Sequence, residues 1–254
     1  MPKGAKQKHQ FFKSVADSCK FAGFPSWLLA EHMSVFYPEL KPKQVVIPHQ
    51  YSSELTVDKT DFPNFFKKDK FSLVHTGNLI GGRSPEGLLK GFELFLIDNP
   101  EAQKEAYLYL VGPHSNYKEL ILSYNHLKTC IASSSIPYKK ASGLQRVASV
   151  NVILEASKTN FSPFLPAKMA HAVYFNKPIL VLSPLDSEVR RLFGAQYAYQ
   201  TEADNSIEIS KKISLLYKQW KKNSQELKLN LPNLQEYFSS TYLALKIKKI
   251  LNEA

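Results

Sequence analysis

"FSLVHTGNLIGGRSPEGLLKGFELFLIDNPEAQKEAYLYLVGP", residues 71–113, decides the fold. It opens on an apolar run of strand length, "FSLVHTG", that stops at Gly77. "SPEGLLKGFELFLIDNP" then places Leu88, Leu89, Phe92, Phe95 and Leu96 on one face at helical spacing. Ser84 is the expected N-cap, and Pro85 falls in the first turn, where its missing N–H costs nothing. "AYLYLVGP" follows as a second apolar strand. Strand, helix and strand in this order make a βαβ unit.

Working outward, the alternation continues. "NYKELILSYNH" reads as a helix, "LKTCIASSS" as a strand, "YKKASGLQRVAS" as a short helix and "VNVILEA" as a strand. After a helix within residues 162–176 come the strand "PILVLSP", the short helix "SEVRRLFGA" and the short strand "QYAYQTE". "SIEISKKISLLYKQWKK" closes the series with Ile209, Ile213, Leu216 and Trp220 in register. Apolar strands alternating with helices predict a doubly wound, Rossmann-like α/β domain: a parallel sheet covered on both faces. Ligands bind such folds in the loops that leave the carboxyl ends of the strands. This domain is expected over residues 71–233. Residues 1–50 hold two helical segments and the strand "VVIPH", and residues 51–70 read as a polar, Pro-containing linker. Residues 234–254 carry a final helix with Leu243, Ile247, Ile250 and Leu251 on one face.

The chain has 254 residues, 44% of them hydrophobic, which supplies a large core and excludes a disordered protein. Two cysteines, Cys19 and Cys130, make neither a disulfide framework nor a CxxC pair, so a reducing compartment is expected. No apolar run reaches the roughly 18 residues of a spanning helix, and the basic N-terminus lacks the apolar centre of a signal peptide. A cytoplasmic protein is the expectation. The net charge of +11 suits an anionic partner. Its lysines are scattered, without zinc ligands, an arginine-rich tract or an RNA-binding aromatic motif, so nucleic acid is not expected. A basic surface resting on anionic lipid at the inner membrane face is the favoured reading.

Two loops carry candidate chemistry. "HTGNLIGGRSPEG" joins a strand to a helix through three glycines and Arg83, without a GxGxxG or a P-loop pattern. Glycines admit a ligand to the backbone, and Arg83 offers a fork of donors to phosphate. The alternative is a plain turn with Arg83 solvated. "SPFLPAKMAHAVYFNKPILVLSP", residues 162–184, reads as a helix with Pro166 in its first turn, Asn176 in a left-handed terminal position and Pro178 blocking continuation. Lys168 and His171 share a face at i and i+3, away from Met169, Ala172 and Val173. A cation and a hydrogen-bonding ring suit a diphosphate and a sugar hydroxyl. The alternative is a surface lysine beside a satisfied histidine.

"FSLVHTGNLIGGRSPEGLLKGF", "YLYLVGP" and "PFLPAKMAHAVYFNKPILVLSP", in this order, resemble the C-terminal, donor-binding half of retaining GT-B-fold glycosyltransferases of the family-4 (group 1) type. The resemblance runs through most of residues 45–252. It implies a donor site for a nucleotide-diphosphate sugar, no metal and no other cofactor, with a role in polysaccharide or glycolipid synthesis. In the family two cations hold the diphosphate; here Gly77 matches the family glycine, Asn78 stands at the first cation and Arg83, after Gly82, at the second. Ser135, Pro137 and Tyr138 fall where the family flanks the nucleobase. Phe164, Leu165, Lys168 and His171 fall on the family's E-x7-E segment, whose glutamates are replaced by Pro163 and His171. A formal E-x7-E at Glu93 and Glu101 straddles a helix end and Pro100 and reads as coincidence. The resemblance also implies that residues 1–50 are a remnant of an acceptor domain. No catalytic base is assigned. The second expectation is a degenerate nucleotide-binding or scaffold module whose partner chain supplies the missing domain.

Overall fold

The computed structural model describes residues 3–51, 62–156 and 160–252. In chain order the elements are α1 (Lys3–Ser18), β1 (Ala22–Phe24), α2 (Trp27–Phe36), β2 (Gln44–Val46), β3 (Phe71–Thr76), α3 (Glu86–Asp98), β4 (Ala106–Val111), α4 (Lys118–Ser123), β5 (Cys130–Ser133) and α5 (Tyr138–Val147). They continue with β6 (Val150–Leu154), β7 (Phe161–Ser162), α6 (Lys168–Tyr174), β8 (Ile179–Leu182), β9 (Asp186–Ser187), α7 (Glu188–Phe193), β10 (Gln200–Thr201), α8 (Ser206–Asn223), α9 (Pro232–Tyr237) and α10 (Ser240–Asn252).

Six strands form one sheet in the order β10-β8-β6-β3-β4-β5, every pair parallel. The pleat divides each strand between two cores. Phe71, Leu73, Leu108, Leu110, Val152, Leu154, Leu180 and Leu182 face α3 and α8, where Leu88, Phe92, Phe95, Ile209, Ile213 and Leu216 meet them. On the other face, Val74, Tyr109 and Val111 pack on Leu144 of α5, and Ile153, Ile179 and Val181 pack on α6 and α7. Each fully buried Leu, Ile or Phe contributes about 1.5–3 kcal/mol. The doubly wound sheet expected from the alternation is therefore present, with α3 and α8 in close contact: a Cβ on Gly91 would fall 2.6 Å from the Ile209 side chain.

Three local expectations are corrected. Ser84 is not the N-cap of α3; Pro85 occupies that position, and the Ser84 hydroxyl accepts from the Glu86 N–H at 3.3 Å one residue early. Pro166 precedes rather than enters the first turn of α6, its carbonyl accepting from Met169 N at 2.9 Å. The final helix is broken: Phe238, fully buried, is drawn into the core under α6, and Ser239 restarts the chain by accepting from Tyr242 N at 3.1 Å. Asn176 does adopt the left-handed conformation, with φ 52°. Of the segment read as a linker, residues 52–61 lie outside the described residues, while Phe62, Phe65 and Phe66 pack beside Tyr109.

The N-terminal segment forms a two-stranded parallel sheet, β1 on β2, with its own small core of Ala16, Tyr37 and Leu40. It is fastened to the main domain by specific polar contacts. Ser26 Oγ donates to the Pro163 carbonyl at 2.5 Å. The N–H groups of Trp27 and Leu28, at the start of α2, donate to the Glu188 carboxylate at 3.3 and 3.1 Å. Glu188 is fully buried and also accepts two bonds from Arg191, at 3.0 and 2.7 Å. A carboxylate at a helix N-terminus satisfies amides that the helix itself leaves unpaired.

Candidate donor-binding site

The carboxyl ends of β3, β4 and β6 define one edge of the sheet. At that edge β3 and β4 leave through glycines in the left-handed half of φ space, Gly77 at 129° and Gly112 at 135°. The two strands exit so closely that a Cβ on Gly112 would sit 2.4 Å from the Gly77 carbonyl oxygen. Only glycine fits there. Gly81 and Gly82, at φ 61° and 81°, then turn the loop back towards α3.

Under this loop lies Lys168. Its Nζ stands 3.0 Å from His75 Nδ1, and a Cβ added to Gly77 would come within 3.8 Å of it. His75, the penultimate residue of β3, is 1% exposed, and its Nδ1 is also 3.2 Å from the Val152 carbonyl oxygen. Burial first, and then the Lys168 charge, holds the imidazole well below its ordinary range. Lys168 is half-buried along its length, but desolvation of its amino group, reinforced by the Arg83 charge and opposed by Glu155, pushes its pKa down to about 7. Glu155 follows β6 directly and is 1% exposed; burial raises its pKa, against the Ser162 hydroxyl bonded to it and the charges of Arg83 and Lys168. His75 and Lys168 are thus in contact at this edge, and the charges of Glu155 and Arg83 act on Lys168.

A second pair stands nearby. Tyr138, at the start of α5, places its hydroxyl 2.8 Å from His171 Nε2. Tyr138 is 58% exposed, so the pair borders solvent. Burial lowers the His171 pKa and raises that of Tyr138.

Gly77 and Lys168, expected at the diphosphate from separate loops, are brought together, with Arg83 acting on Lys168 through its charge, and Tyr138 and His171 also meet. The others are not drawn into these contacts. Asn78, Ser135 and Pro137 are exposed on their loops, Phe164 is 54% exposed, and Leu165 is buried in the α6 core. Among the described residues no hydrogen bond joins Asn78, Ser135 or Phe164 to Lys168 or His171. Glu93 Oε1 stands 2.5 Å from His126 Nε2. His75, Glu155 and Ser162 were not singled out by sequence. The available signal was an ionisable residue at the carboxyl end of a buried strand, in "LVHTG" and again in "VILEA".

No family model matches the sequence, and no curated protein matches it. Solved structures do match in fold. The pneumococcal O-GlcNAc transferase GtfA, in complex with UDP and GlcNAc, aligns with a TM-score of 0.70 at 17% identity over 97% of this chain and 47% of its own. The GtfA/B complex aligns at 0.66 and 14% identity over 96% and 47%. Anabaena HepE with UDP-glucose aligns at 0.71 and 11% identity over 98% and 68%. This chain spans about half the length of the first two. Its fold is that of the C-terminal half of a GT-B glycosyltransferase.

Proposed function

We propose that the chain is the donor-binding half of a glycosyltransferase that takes a sugar from a nucleotide-diphosphate sugar with retention of configuration, in polysaccharide or glycolipid synthesis. The observation that carries this reading is Lys168 Nζ beside Gly77 of the glycine loop at the carboxyl edge of the sheet, within the electrostatic reach of Arg83. The glycine backbone of this loop admits a ligand closely, a setting for the two phosphates. The charges of Lys168 and Arg83 would oppose the negative charge that builds on the departing diphosphate, the kind of stabilisation that dominates such transfers. The Tyr138–His171 pair lies where hydroxyl and ring nitrogen can bond a ribose. That solved structures of the same fold hold UDP or UDP-glucose supports the ligand class.

A second reading has its own observation. α10 has no buried residue, and of the apolar helix α2 only Ala30 is buried, so both present apolar surface of the kind that marks a protein contact. On this reading residues 1–50 are the remnant of an acceptor domain, and another chain completes the enzyme. That a relative in fold forms a two-chain GtfA/B complex supports it. The lysines of α1 and α10 suit a cytoplasmic position against an anionic membrane surface.

Thermal unfolding against UDP, GDP, ADP, CMP and their sugar conjugates tests the donor site. A ligand at about one hundred times its Kd adds roughly 2.7 kcal/mol, a rise in Tm of several degrees for a chain of this size. A rise with one nucleotide family is the expected result and identifies the base. Flat curves throughout would remove the donor-site reading and leave the scaffold.

A further inference from the structure

The N-terminal segment meets the main domain not only at Glu188 of α7 but along residues 160–174, the stretch from which Lys168 reaches His75 and His171 reaches Tyr138. Ahead of α6, Ser26 Oγ donates to the Pro163 carbonyl at 2.5 Å, and the His32 ring stands 5.4 Å from that of Phe161. At the far end of α6, the Tyr51 ring stacks on Tyr174 at 4.0 Å. The element that carries two of the site's side chains is therefore held at both ends by residues 26–51. Ser26 is 0% exposed, so its hydroxyl has no water to fall back on. It accepts from Leu29 N as the cap of α2, and its single proton goes to Pro163 rather than to a carbonyl of its own helix. On the loop side, Ser162 is fixed by Glu155 and by the pairing of β7 with β9, and Leu165 is fixed in the α6 core. Between them, among the described residues, no other hydrogen bond reaches Pro163 or Phe164.

We propose that Ser26 is a positioning residue for the donor site: by fixing the Pro163 carbonyl, it holds the loop that leads into Lys168 where a nucleotide-diphosphate sugar meets it. The proposal rests on the donor-site reading above. It gives the N-terminal segment a part in that site, although no residue of the segment need touch the ligand. Without the Ser26 bond, the backbone at Pro163 and Phe164 loses its fixed partner. Ordering the loop then falls to the ligand, whose affinity drops by that cost. The coupling runs both ways, so a ligand that orders the loop must also steady the helix start that holds it.

Two readouts on the full chain test this. Hydrogen exchange needs no ligand, and in Ser26→Ala it should quicken over residues 163–169. A binding titration with whichever of UDP-, GDP- and ADP-glucose the wild-type protein takes should show affinity weakened roughly 2- to 10-fold, the worth of one hydrogen bond. Ser26→Thr, which keeps the hydroxyl, should restore both. Glu188→Ala separates positioning from mere attachment: it unties the same helix start but leaves the Pro163 bond, and should leave the affinity where it was. An equal loss of affinity in Glu188→Ala and Ser26→Ala would overturn the proposal, and so would unchanged loop exchange or unchanged affinity in Ser26→Ala; all three spare the donor site. Failure of the wild-type protein to bind any of the three sugars would overturn both. Should the melting curve of Ser26→Ala show that it does not fold, the wild-type protein decides by itself. A bound donor should slow exchange over Trp27–Phe36, and exchange there that ignores the donor would overturn the proposal.

Discussion

A single amino group, Lys168 Nζ, ties together loops that are 93 positions apart in the chain through its contact with His75. Its removal has a predictable cost if the donor site is as proposed. A hydrogen bond to a charged group is worth about 1.5–3 kcal/mol, so Lys168→Ala and Arg83→Ala should each weaken nucleotide-sugar affinity by roughly 10- to 150-fold in a direct binding titration. Gly112→Ala tests the backbone instead. Its φ of 135° and the 2.4 Å clash with the Gly77 carbonyl predict a loss of about 1–3 kcal/mol or more, read as a lowered Tm, together with weaker nucleotide binding as the loop is displaced. Lys168, His171 and Arg83 were legible in the sequence because a charge interrupting an apolar or glycine-rich segment stands out locally. His75 and Glu155 were not, since each sits in a strand that otherwise reads as core and gains its meaning only from neighbours distant in sequence.

Helix α2 shows how an element can owe its stability to another. Its own N-cap, Ser26, accepts from Leu29 N at 3.3 Å, but two more of its first amides are satisfied by Glu188, from the start of α7. Glu188→Ala removes that carboxylate and leaves both amides and Arg191 without it, a loss of about 1.5–3 kcal/mol. Hydrogen exchange should quicken over Trp27–Phe36, while the amides of β3, β4 and β6 and the nucleotide affinity stay as they were. A uniform loss of protection across the sheet would show instead that the N-terminal segment and the main domain unfold as one. The long elements, α3 and α8, could be read from their periodicity. β1, β7 and β9 could not, because two or three residues are too few to display an alternation. The break between α9 and α10 was hidden for a different reason: Phe238 fits the helical pattern on either side but is claimed by the core beneath α6.

The whole molecule carries a pH dependence set by its buried bases. In the folded protein His75 resists protonation, whereas in the unfolded chain it takes a proton near its ordinary value of 6.5. Below that value the unfolded state binds more protons, so stability should fall with falling pH, by up to about 1.4 kcal/mol per unit from this residue. Lys168 acts in another window. Between about 7 and its ordinary 10.5 the unfolded chain holds a proton that the folded lysine lacks, so stability should rise with pH there. Melting curves of the wild-type protein and of Lys168→Met across both windows check this: the alkaline rise should shrink in the variant and the acid fall should persist. A parallel sheet covered on both faces was foreseeable from alternation, while the strand order and the docking of residues 3–51 were not, the docking because it is made by single polar groups. That docking also bears on synthesis. The amides of Trp27 and Leu28 wait for a carboxylate 161 and 160 positions downstream, respectively. At the rate at which ribosomes extend a chain, roughly 5–20 residues per second, the interval is about 8 to 30 seconds. Through that interval the nascent N-terminal segment, with Trp27, Val35 and Phe36 uncovered even in the finished protein, lacks the Glu188 anchor and, for most of it, the Pro163 carbonyl as well, and it is during translation that chaperone shielding should matter most to the yield of this chain.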